Sequence, residues 1–152
     1  MFKDLAMESD LIIYLVTAFI ILPIYLILIV SEWKILEKAG EKGWKSLIPF
    51  YNLFISHHIV GMAHIWFILE VIFWFVELIL EVIPAVPEMV ELSCGLVIGL
   101  FTIISEVIHI NRLCNCFKKP TSFKIGMIIL PELFMPIIAF GNSVYTPPEH
   151  QH

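Results

Sequence analysis

Residues 57–84 read HHIVGMAHIWFILEVIFWFVELILEVIP. The stretch is long and apolar enough to cross a bilayer, yet it carries Glu70, Glu77 and Glu81. At about 100° per residue the three carboxylates share one narrow stripe of a helix, flanked by Ala63, Trp66 and Trp74, while Ile, Leu, Val and Phe fill the other faces. A charge at the centre of a bilayer costs roughly 2.5–3.5 kcal/mol on insertion scales, so three on one face demand protonation, a partner or water. The stripe is therefore expected to look inward. No Lys or Arg lies between Lys45 and Arg112, which leaves histidine as the base nearest to it on this helix or the next.

Composition agrees with a bilayer setting. Of 152 residues, 59 % are hydrophobic and 15 % charged, with a mean hydropathy of +0.91; soluble domains carry a charged fraction nearer a quarter. The formal net charge of −5 says little about partners, because several acids sit inside apolar runs. Nothing points to nucleic acid. The opening MFKDLAMESD has no basic lead and no small-residue cleavage site follows the first apolar run, so that run reads as a retained span. Cys94 falls in an apolar run, and Cys114 and Cys116 adjoin a basic turn, which is not a secreted disulfide framework.

The expected fold is all-α: an integral membrane four-helix bundle forming a single domain over residues 1–152. Span one is 11–30, 20 residues without a charge and interrupted by Pro23. Residues 32–54 mix Lys34, Lys38, Lys42 and Lys45 with Trp33, Trp44, Phe50 and Tyr51, the pattern of an interfacial amphipathic or re-entrant segment. Span two is the glutamate helix, about 58–83, and span three covers about 92–110. Span four, 123–140, carries Glu132 between Pro131 and Pro136 and is expected to bend or break. Lys and Arg concentrate between Glu32 and Asn52 and between Arg112 and Lys124. The positive-inside rule then puts both basic loops in the cytoplasm and both termini outside, in a multi-pass inner (plasma) membrane protein.

Two blocks carry a resemblance. One is Trp33-Lys34, Lys38-Ala39-Gly40, Gly43-Trp44, Ile48-Pro49 and Tyr51-Asn52; the other is Phe117, Thr121, Phe123, Gly126, Leu130-Pro131, Phe134, Pro136-Ile137 and Phe140-Gly141, with Tyr145 beyond. They resemble a family of small bacterial and archaeal polytopic membrane proteins of unknown function. The resemblance implies a multi-span topology. Some members carry a signal-peptidase label, but no serine and lysine here have the placement such a dyad needs.

The intramembrane acids Glu70, Glu77, Glu81, Glu106 and Glu132 are the sharpest signal, as helix-interface glue or as an ion path. Gly95 and Gly99 form a GxxxG pair that permits close helix approach. A metal centre would draw on Glu106, His109, His57, His58, Cys114 and Cys116, although C-x-C lacks the spacing of a zinc knuckle. His150 and His152 carry little weight. Ser56, Ser93, Ser105 and Cys94 have no evident base and orienting acid, so no catalytic residue is assigned. The first expectation is a non-catalytic membrane component, self-assembling or accessory to a larger complex, that needs no cofactor. Its partners are the lipid bilayer and either copies of itself or another membrane protein. An oligomeric proton or cation channel is the second reading, and a metal-dependent membrane enzyme the third.

Overall fold

Long apolar runs without backbone partners must satisfy their own hydrogen bonds, and the chain does so as helices throughout. The computed structural model describes residues 2–83 and 86–148, with side chains from residue 15 onward. The described residues contain six α-helices and one short 3-10 helix, and no strand. These are α1 (Phe2–Lys38), the 3-10 helix (Gly43–Leu47), α2 (Pro49–Ile59), α3 (His64–Val82), α4 (Glu88–Cys116), α5 (Thr121–Ile129) and α6 (Pro131–Phe140). Two helices are long and apolar enough to cross a membrane, α1 from Leu15 to Lys38 and α4 over its full 29 residues. Pro84, Ala85, His150 and His152 lie outside the described residues.

The glutamate helix starts later than the sequence suggests. His57 and His58 belong to α2, because the chain turns at Gly61, whose φ of +69° suits glycine. The Met62 N–H closes on the His57 carbonyl at 2.9 Å and the Gly61 N–H on the His58 carbonyl at 3.0 Å, a Schellman-type end to α2. Arg112 of α4 donates to the Gly61 carbonyl at 2.6 Å and holds the turn against the far end of α4. Phe50, at the start of α2, meets Trp74 at 5.4 Å and stacks at 6.5 Å on Phe75, so α2 and α3 run antiparallel. Residues 32–54 thus finish α1, turn, climb beside it as the 3-10 helix and descend as α2. Gly43 is required by that climb, since a Cβ there would overlap the indole of Trp33.

Residues 123–140 do not form one span. They make two helices of 9 and 10 residues, each about 15 Å long and too short to cross a bilayer. Pro131 lacks the N–H that would continue α5, and Leu130 leaves helical geometry with φ −138° and ψ 67°. The two halves fold together, with Phe123 and Phe134 edge to face at 4.9 Å and Gly126 under the Phe134 ring. Lys38 of α1 donates at 2.6 Å to the carbonyls of both Ile138 and Gly141, where α6 ends.

Residues 141–148 therefore return to the end from which α5 departs. Thr146 N–H bonds the Cys116 carbonyl at 2.8 Å, and Tyr145 donates its hydroxyl to the Ile59 carbonyl at 2.5 Å. Burial, with Cys116 and Glu41 nearby, pushes the Tyr145 phenol up to about 12, which keeps it a donor. This corrects the expectation that the tail lies opposite the basic turn; it packs beside Arg112 and Cys116 on the same end. The buried core gathers there too, including Leu36, Ile59, Val60, Leu113, Cys114, Phe117, Met127 and Ile138.

Candidate functional site

Four helices bring ionisable and hydroxyl side chains to one place above that core. Glu32 of α1 accepts hydrogen bonds from the Asn52 amide and, at 3.3 Å, from the Ser56 hydroxyl, both on α2. His57, one residue further along α2 and only 4 % exposed, places Nδ1 at 2.8 Å from the Leu53 carbonyl oxygen. Its Nε2 faces Oε1 of Glu70 on α3 at 3.4 Å. That same oxygen accepts the hydroxyl of Ser105 on α4. The ring of His109, also on α4, is centred 5.5 Å from that of His57, and Glu106 lies within electrostatic range of Glu70, Glu32 and His57.

Local structure explains the convergence. His57 lies two residues before the end of α2 and Glu70 six residues into α3, so both sit near the turn that joins the two helices, within reach of each other's side chains. The α4 face that meets them is Ile98, Ser105, His109, Leu113 and Cys116, spaced at helical intervals. Ser105 is 1 % exposed. Gly95, Gly99 and Glu106 lie on a neighbouring strip, which turns them away from the core.

The five glutamates therefore part company. Glu70 joins the cluster, whereas Glu106 is exposed at its rim, within electrostatic range. Glu77 and Glu81 line an open cleft of about 750 Å³ between α3 and α4, together with Trp74, Glu88, Glu91 and Gly95. Glu132 is exposed in the first turn of α6. The inward-looking stripe is covered only at Glu70, since α3 has no buried residue. Among the described residues no atom lies within 4 Å of a Cβ added at Gly95 or Gly99, so no described side chain packs on that seam.

The metal set is dispersed as well. His57, His109 and Glu106 are neighbours, but His58 is exposed and keeps company with Phe54 and His64. Cys114 is buried with its Sγ 3.6 Å from the Met127 sulfur, which is packing. Cys116 is buried too. Among the described residues no three His, Cys, Asp or Glu side chains are placed to hold a metal ion.

Glu32 and Asn52 escaped the sequence reading as site residues, and Ser56 and Ser105 entered it only as nucleophiles that were set aside. The signal for Ser105 was its seven-residue spacing from Ile98 and four-residue spacing to His109, which marks a second face of α4 beside the glycine face. Glu32 and Asn52 offered none, because their pairing joins segments 20 residues apart through a turn.

The model of a family of unknown function, DUF5684, matches residues 44–148. The chain belongs to that family. The matched region runs from Trp44 through α2 to the packed tail, and it contains His57, Glu70, Ser105, Glu106 and His109; Glu32 of α1 precedes it. No curated protein and no solved structure matches the chain.

Proposed function

We propose that this is a non-catalytic multi-pass membrane protein that assembles through the α3/α4 side with a second copy of itself. The observation that carries this reading is the state of that side. Glu77, Glu81, Glu88 and Glu91 line an open cleft, and the Gly95–Gly99 seam beside it is uncovered. Around the seam Leu92, Leu96, Val97, Leu100 and Ile103 are all exposed. In lipid, apolar side chains need no cover, but a seam of small residues lets a second backbone approach closely, and interhelical packing is what drives association there. Carboxyls at such a seam gain hydrogen-bond partners from the opposing copy.

Orientation follows from charge. Lys38, Arg112, Lys118 and Lys119 gather at the end that holds the packed tail, and the positive-inside rule directs that end to the cytoplasm of a plasma membrane. On this reading α1, α3 and α4 cross the bilayer, while α2 and the α5–α6 hairpin enter from the cytoplasmic side and return to it.

Native mass spectrometry of protein extracted gently from its own membranes tests the assembly. A homo-oligomer is expected for the wild type, and a monomer with unchanged helical content for Gly99→Leu. A monomeric wild type, a complex with a different protein, or an oligomer indifferent to Gly99→Leu would each overturn the self-assembly.

A further inference from the structure

The contact between His57 and Glu70 fixes a proton count. A carbonyl oxygen only accepts, so the approach of Nδ1 to Leu53 O at 2.8 Å puts a ring proton on Nδ1. In the neutral ring, Nε2 is then a lone-pair acceptor. It is sealed from solvent, has no donor directed at it, and faces Glu70 Oε1 at 3.4 Å. A carboxylate also only accepts. A neutral His57 beside an ionised Glu70 would thus hold two acceptors against each other in a low-dielectric interior, where unpaired polar atoms are most costly.

We infer that His57 and Glu70 form a proton-binding site that holds one proton at neutral pH beyond the one on Nδ1. The proton resides either on Nε2, as imidazolium beside carboxylate, or on Glu70, as carboxylic acid beside imidazole. Both forms carry no net charge, which suits a buried site. Ser105 fits both, since its hydroxyl donates to Oε1 whether that oxygen is ionised or itself donates to Nε2. The charged and titratable groups facing the pair are Glu106 and His109 from α4 and, beyond Glu106, Glu32 from α1. His109, whose ring is hydrogen-bonded to the Ser56 backbone, also has a buried Nε2 with no partner beside the pair. Loss of the shared proton makes the contact between α2 and α3 repulsive, so proton occupancy is coupled to how α2 is seated. This site is separate from the α3/α4 seam and stands whether or not the chain assembles with itself.

The test is solid-state NMR of the full chain in lipid nanodiscs at pH 7, with ¹⁵N-labelled histidine and ¹³C-labelled glutamate. The expected spectrum shows a doubly protonated His57 ring with an ionised Glu70, or an Nδ1–H ring with a carboxylic acid at Glu70. On raising the pH, the His57 and Glu70 signals should move together in one step. In Glu70→Gln the side-chain amide donates to Nε2, and His57 should become a neutral ring with no such step. His57→Gln supplies the assignment independently if Glu70→Gln does not fold. A neutral His57 beside an ionised Glu70 in the wild type overturns the site, as does an imidazolium that persists in Glu70→Gln.

Discussion

The two ends of this molecule are built on opposite principles. At one end α1, α2, α4, α6 and the tail are tied by hydrogen bonds from Lys38, Arg112, Tyr145 and Thr146 to backbone carbonyls far away in sequence, over a shared apolar core. At the other end α3 and α4 diverge around an open acidic cleft, and α3 buries nothing. Packing within the chain therefore completes the first end, whereas the described residues leave the second open. The His57–Glu70 cluster lies where the closed region gives way to the open one.

The largest expected effect comes from crowding the closed end. Gly43→Leu drives a side chain into the Trp33 indole, which Glu37 also holds by a hydrogen bond of 2.7 Å from Nε1. A loss of about 3 kcal/mol or more is expected, at the upper end of overpacking costs, read as a lower midpoint of thermal unfolding in a monomerising detergent. Next is Lys38→Met, which leaves the Ile138 and Gly141 carbonyls without their donor; about 2 kcal/mol should be lost, and protease should cut residues 141–148 faster. Removing only a hydroxyl costs less. Tyr145→Phe gives up the bond to Ile59 while keeping the ring 5.7 Å from Phe117, and about 1 kcal/mol is expected in the same unfolding assay.

The smallest effect belongs to the open end. A Cβ at Gly95 meets no described atom within 4 Å and opens onto the cleft, so Gly95→Leu should lower monomer stability by less than about 0.5 kcal/mol. If Gly95→Leu proved as damaging to the monomer as Gly43→Leu, the contrast between the two ends would collapse. If instead it were harmless in detergent but abolished the oligomer in native membranes, the contrast would sharpen into a division between folding and assembly.

What could be read from the chain follows the reach of its signals. Helical class, the two long apolar helices and the break near Pro131 came from local composition, because length, charge and proline act within a few residues of themselves. The position of Glu70 as a carboxylate in an apolar run was readable for the same reason. Its partner was less so: His57 lies on a different helix, and the turn at Gly61 that separates them looks in sequence like one more residue of an apolar stretch.

By itself the sequence determined that this is an all-helical chain with acids set inside apolar runs. Only the tertiary structure decided that the last apolar run doubles back, that the tail shares the basic end, and that Ser105 and His57 meet Glu70 while no described residue packs on Gly95 and Gly99. The reason is geometric. Periodicity assigns residues to faces of a helix, but which face meets another helix depends on turns and on contacts between residues far apart in the chain, such as Lys38 on Gly141.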